Sequence, residues 1–214
     1  MSNEPTTTQC VVVQEYGPFG EASTNGVAHD GRHLWIATGD SMKALDTERG
    51  EIVRTLPVAA DAGTAFDGEH LYQLSGTEIQ KVDVETGEVV GTIPAPGKGR
   101  DAGLTWAEGA LWVGQHRDRT IHRIDPATGA ITRTIESNRF VTGVTWTEGE
   151  LWHGTWEGGT SELRRVDPGT GEVLERHEMP DKMVVTGLSS DRDRFYCGAG
   201  SDGRVRAVLR PGSR

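Results

Sequence analysis

Two cysteines in 214 residues, Cys10 and Cys197, are too few for a disulfide framework or a cysteine-rich zinc site. No apolar run approaches the ~18 residues of a membrane span. The first nine residues carry neither the basic start nor the apolar core of a secretory leader, so a cytoplasmic protein is expected. Basic charge is scarce as well. The formal net charge of −10 leaves no footprint for displacing counterions from nucleic acid, and an anionic membrane surface would repel the chain. Neither nucleic acid nor membrane is an expected partner. The seven histidines fall in no ligand spacing, and there is no phosphate loop or nucleophile elbow. No metal and no cofactor are expected. No stretch carries a capped 3.6-residue apolar period, so helix should be nearly absent.

What is abundant is glycine, 29 residues, and it recurs in register. Five units begin at Gly26-Val-Ala-His-Asp-Gly, Gly63-Thr-Ala-Phe-Asp-Gly, Gly103-Leu-Thr-Trp-Ala-Glu-Gly, Gly143-Val-Thr-Trp-Thr-Glu-Gly and Gly187-Leu-Ser-Ser-Asp. Each continues into an apolar-aromatic pair: Leu34-Trp35, Leu71-Tyr72, Leu111-Trp112, Leu151-Trp152 and Phe195-Tyr196. Four of them then carry an Asp-to-Gly turn, as in Asp125-Pro-Ala-Thr-Gly129, before a last apolar run. Short β-rich runs ended by such turns read as four antiparallel strands per unit. Four strands in ~40 residues is the size of a propeller blade.

The fifth unit stops after Arg204-Val-Arg-Ala-Val-Leu209 without a fourth strand, while Cys10-Val-Val-Val-Gln-Glu-Tyr16 precedes the first repeat without a partner. Placing that segment on the outside of blade five covers an open edge and closes a ring. The expected fold is all-β, a single five-bladed β-propeller over residues 10–211, with a flexible N-terminus at 1–9 and a tail at 212–214. A monomer is expected. With Cys10 and Cys197 two strands apart, steps of about 4.8 Å put them ~9–10 Å apart, too far for a disulfide.

Residues that match across repeats read as structural, and those that break the pattern are candidates for a site. Five of the six tryptophans fall at shared strand positions; Trp156 does not. Four residues after each second-strand aromatic stand Gly39, Gly76, His116, Trp156 and Gly200. Blades three and four thus replace glycine by large interactive groups. One position earlier, Thr38, Ser75, Gln115, Thr155 and Ala199 make a mostly polar column, expected as a rim. Loops entering the first strands add Asn25, Asp61, Asp101 and Arg139-Phe140. Asp61 and Asp101 lie two residues before adjacent blade glycines, where they serve either as acid/base groups or as turn residues bonding local backbone. A ligand is expected at the channel mouth.

With these segments in hand, the chain resembles the propeller-type glutaminyl-peptide cyclotransferases of plants and bacteria, and more loosely streptogramin lyase and other propellers. Asp125-Pro-Ala-Thr-Gly129 and Gly149-Glu-Leu-Trp152-His-Gly-Thr-Trp156 resemble that family's final blades, and Ser23-Thr24-Asn25-Gly26-Val27 resembles its Phe-Thr-Gln-Gly-Leu segment. The resemblance implies conversion of an N-terminal glutamine to pyroglutamate with release of ammonia. On that reading Asp101, Glu157 and His116 shuttle protons, Gln115 and Asn25 orient the amide, Trp156 walls the pocket, and Thr155, Asp61 and Arg139 complete it. Ile36 stands where the family has an acidic residue after the first blade's Leu-Tyr pair. A propeller that binds a small molecule or peptide without catalysis is therefore the alternative.

Overall fold

The turns of the repeat are chemically specified, and they decide where each strand ends. Between third and fourth strands, Asp46, Asp83, Asp125 and Asp167 each accept the backbone N–H groups two and three residues on, at 2.7–3.0 Å. Gly50, Gly87, Gly129 and Gly171 finish these turns at φ of 73–80°, a region that glycine enters without steric cost. Between first and second strands, Asp30, Asp67 and Asp191 accept backbone N–H groups in the same way. Blades three and four instead turn on Glu108-Gly109 and Glu148-Gly149, with positive φ at both residues, the type I′ hairpin geometry.

The computed structural model describes residues 7–20 and 23–212. Residues 1–6 of the expected flexible N-terminus, and 213–214 of the tail, lie outside the described residues. Blade one consists of β3 (Gly26–His29), β4 (Leu34–Ala37), β5 (Met42–Asp46) and β6 (Glu51–Leu56). Blade two is β7 (Thr64–Phe66), β8 (His70–Ser75), β9 (Glu78–Asp83) and β10 (Val89–Pro94). Blade three is β11 (Asp101–Ala107), β12 (Ala110–Gln115), β13 (Thr120–Ile124) and β14 (Ile131–Glu136). Blade four is β15 (Phe140–Thr147), β16 (Glu150–Glu157), β17 (Thr160–Val166) and β18 (Val173–Glu178). Blade five joins β19 (Leu188–Ser190), β20 (Arg194–Gly198) and β21 (Val205–Leu209) to β2 (Val12–Tyr16) from the other end of the chain. No described residue is helical, and no helix is long and apolar enough to cross a membrane.

The five blade glycines explain their own recurrence. A Cβ on Gly26, Gly63, Gly103 or Gly143 would lie 2.0–2.6 Å from backbone atoms of the next blade, and one on Gly187 would lie 2.8 Å from Asn25 O of blade one. Inner strands therefore approach one another around the channel more closely than any side chain allows, and the fifth contact returns to the first blade. Farther out, the aromatic positions fill the layers between blades. Tyr72 stacks on Trp106, Trp112 on Trp146 and Tyr196 on His29, with centroids 5.4, 5.9 and 5.8 Å apart. The turn aspartates take the polar tips of these rings: Asp30 from Trp35, Asp67 from Tyr72 and Asp191 from Tyr196. Blade three has no such aspartate, and Trp112 Nε1 is buried without a hydrogen bond.

Closure follows the sequence reading with one extension. β2 pairs antiparallel with β21, and buried Tyr16 donates its hydroxyl hydrogen bond to Thr47 O of blade one at 3.0 Å. Thr7–Gln9, expected within a flexible terminus, instead forms β1, which lies parallel to β18 as a fifth strand of blade four. The N-terminal segment thus straps blades four and five together, because backbone groups at the β18 edge and in the segment satisfy one another. Cys10 consequently sits in the link between β1 and β2, donating its N–H to Glu178 O, and not within the outer strand of blade five. Both thiols are free. Burial pushes the Cys10 thiol up to about 12, so it stays protonated near neutrality.

Candidate functional site

The residues directly before the five blade glycines, Asn25, Ala62, Ala102, Thr142 and Thr186, ring one end of the channel. With Asp61, Asp101 and His116 they line a cavity of about 300 Å³. Every blade contributes to it because each inner strand begins at this mouth. Four of the sequence candidates, Asn25, Asp61, Asp101 and His116, meet here. Ala62, Ala102, Thr142 and Thr186 were not singled out from sequence, yet they form one repeat column, immediately before the glycine, that a column-by-column reading contains.

Asp101 opens β11, where burial of its carboxyl raises its pKa above the usual aspartate range. Gly97 N–H contacts both of its oxygens at 3.0 Å, and Gln115 Nε2 donates to Oδ1 at 3.2 Å. It is therefore both a turn residue and a cavity carboxyl. Asp61 accepts Gly76 N–H at 3.1 Å, and its backbone oxygen accepts Asn25 Nδ2 at 3.1 Å. His116 Nδ1 lies 3.1 Å from Val141 O. Because a carbonyl only accepts, Nδ1 carries a proton, which leaves Nε2 as the acceptor of the neutral ring.

The other candidates lie outside the cavity lining. Phe140 bridges to Trp156: His116 stacks on Phe140 at 4.8 Å, and Phe140 on Trp156 at 6.2 Å. Arg119 covers the Phe140 ring at 4.5 Å. Trp156 pairs across strands with Phe140 and is 36% exposed, so the row leads from the cavity toward solvent. Glu157 pairs with Arg119 at 3.2 Å. Arg139 is committed to the hairpin beside it, donating to Glu157 O and Thr160 O, and pairing with Glu162.

Gln115 and Thr155 correct the expectation of an exposed polar rim: they are 5% and 0% exposed, as are their column neighbours Thr38 and Ala199 at 2% and 1%. Gln115 is covered by bonds to Asp101 and Thr120 on the flanking strands of its own blade, and Thr155 alternates with exposed Trp156 along β16. His153, in the middle of β16, is likewise buried, and burial drives its pKa down to about 3. Among the described residues, no three His, Cys, Asp or Glu side chains gather in a way that could hold a metal.

Two family models match parts of the sequence, and two solved structures share the fold. Residues 134–199 match the family model of glutamine cyclotransferase, and residues 65–143 match a model described as a repeat of unknown function. The sequence has no match among curated proteins. The crystal structure of Myxococcus xanthus glutaminyl cyclase superimposes with a TM-score of 0.79 at 18% identity, covering 96% of this chain and 97% of that one. Virginiamycin B lyase from Staphylococcus aureus gives a TM-score of 0.54 at 16% identity, over 92% of this chain and 70% of that one. The chain shares its fold with the first over nearly its full length, and the match to the glutamine cyclotransferase model runs from the end of blade three through blade four into blade five.

Proposed function

We propose that the protein is a glutamine cyclotransferase-like enzyme that closes an N-terminal glutamine into pyroglutamate at the channel mouth. The observation that carries this reading is Asp101: a carboxyl of raised pKa in a cavity that also presents Asn25 and His116. The fold shared with the M. xanthus protein and the match over residues 134–199 support it.

In the reaction the uncharged α-amine attacks its own side-chain carboxamide carbon. The new N–C bond closes the five-membered ring, and the bond to the amide nitrogen breaks. One amine proton passes to the Asp101 carboxylate and from there to the departing nitrogen, which leaves as ammonia. A raised pKa suits Asp101 to both halves of that transfer. Asn25 and His116 are assigned to orient the amide and the amine, and Trp156 with Phe140 to carry the chain that follows. Because Asp101 must be ionised to accept the proton, turnover corrected for the fraction of uncharged amine should fall as pH drops through a midpoint above the ordinary aspartate value.

The test is ammonia release from Gln-initiated dipeptides. Asp101→Asn should lower turnover by about 10²–10⁴, the usual contribution of a general acid/base, with the fold intact by circular dichroism. No ammonia above a buffer control across peptides and pH would leave a binding propeller as the better reading. One observation already favours that second reading: Ile36, at the position of the family's acidic residue, is wholly buried and offers no carboxylate.

A further inference from the structure

Asp101 does not stand alone in blade three. Its Oδ1 accepts Gln115 Nε2 at 3.2 Å, Gln115 Oε1 accepts the Thr120 hydroxyl at 3.4 Å, and Thr120 Oγ1 lies 3.3 Å from His122 Nε2. His122 Nδ1 is in turn 2.8 Å from Thr134 Oγ1 on the outer strand. The line crosses β11, β12, β13 and β14, from the cavity to the outer edge of the blade.

Counting protons fixes its polarity. A threonine hydroxyl has one proton, and Thr120 gives it to Gln115. The contact with His122 Nε2 must then be a donation from the ring to Thr120. In the neutral ring Nδ1 becomes the acceptor, and it takes the Thr134 proton. Burial lowers the pKa of His122, consistent with a neutral ring in this chain of bonds. With its oxygen held by Thr120, the Gln115 amide can offer Asp101 only its NH₂ group.

We propose that Gln115, Thr120 and His122 form a positioning relay that holds the Gln115 amide donor-first against Asp101 and so keeps that carboxyl ionisable inside the cavity. The inference rests on the catalytic reading of Asp101 for its purpose, but not for its test. Gln115 is a positioning residue here and not a substrate ligand, in keeping with its burial. The equivalent third-strand positions are used differently. Lys43 donates to Phe19 O, Arg164 pairs with Glu162, and Arg206 pairs with Glu15 and Asp202. Blade three therefore diverts toward the channel a position that blades one, four and five use to tie down loops and edges.

The charged and titratable groups facing Asp101 are Arg100 beside it, which is paired with Asp118, His116 from the turn after β12, and Asp61 from the segment before β7. None is altered by changing Thr120. Without the Thr120 hydroxyl, the amide can turn its oxygen toward Asp101 and accept a proton from the neutral acid. The protonated form is then favoured. Thr120→Val should raise the Asp101 midpoint by about one unit, the scale of one hydrogen bond to a charged group. Thr120→Ser, which restores the hydroxyl, should return it to the wild-type value.

The measurement is a pH titration of the Asp101 side-chain carboxyl by carbon NMR on the full chain, assigned through Asp101→Asn. Gln115→Leu supplies an independent arm: with no amide donor, the midpoint should rise at least as far. An unchanged midpoint in folded Thr120→Val and in folded Gln115→Leu would overturn the relay. A shifted midpoint in a protein that releases no ammonia would uphold the relay and reject the cyclotransferase reading.

Discussion

Ring closure by the N-terminal strand can be tested at one side chain, Tyr16. It is 3% exposed and clusters with Leu34, Leu45 and Tyr196 across the junction of blades five and one. Tyr16→Ala removes an aromatic ring from that junction, and truncations of buried aromatics cost about 3–5 kcal/mol. The loss is a large share of the ~5–15 kcal/mol that holds a typical domain. At roughly 2–4 °C per kcal/mol for a chain of this length, the melting temperature should fall by about 6–20 °C. Tyr16→Phe keeps the ring and deletes only the bond to Thr47 O, worth about 0.5–1.5 kcal/mol, or roughly 1–6 °C. Val13 lies on the same strand but is 47% exposed, and Val13→Ala should stay within about 0.5 kcal/mol of wild type. Thermal unfolding followed by circular dichroism orders the three. If Tyr16→Ala melts with Val13→Ala, β2 does not lock the ring, and the closure argument fails.

Three further outcomes follow from the same structure. Gly143→Ala would place a Cβ 2.3 Å from Leu188 N on the neighbouring blade, so it should lower the melting temperature or prevent soluble expression, whereas Gly149→Ala meets no atom within 4 Å and carries only the strain of φ 81°. Trp156→Ala should weaken substrate binding, read as a raised KM or Kd, while costing less than about 1 kcal/mol, against about 3–5 kcal/mol for buried Trp112→Ala. Backbone N–H groups hold Asp46, Asp83, Asp125 and Asp167 below the usual aspartate range. Their contribution is therefore complete above the ordinary aspartate pKa of about 3.9 and is lost as pH falls through the lower folded values. Melting temperatures measured from neutral pH downward should drop in that acid range, and a flat profile would count against it.

Much of this molecule was written locally. The repeated Asp-to-Gly turns, the apolar-aromatic pairs and the blade glycines each act within one repeat or between neighbours, so their spacing fixed the number of blades and the four strands that make up each repeat. The missing fourth strand of the fifth repeat even named its replacement, because an open edge and an orphan strand have one economical solution. Asn25, Asp61 and Asp101, named from the loops entering the first strands, and His116, named from a break in a glycine column, all line the cavity at one end of the channel, because the repeat brings both sets of loops to that end.

Tertiary structure decided what depends on direction and distance beyond the repeat. Flanking strands cover Gln115, and alternation along β16 turns Thr155 inward, although they adjoin His116 and Trp156 in sequence. Phe140 became the bridge between His116 and Trp156 only when blades three and four came side by side. Thr7–Gln9 found its partner in β18, some 170 residues away, through backbone hydrogen bonds that no side-chain pattern encodes. The relay from Asp101 to His122 depends on which atom each polar group turns toward its neighbour, a matter of rotamer and proton count that appears only once four strands are laid against one another.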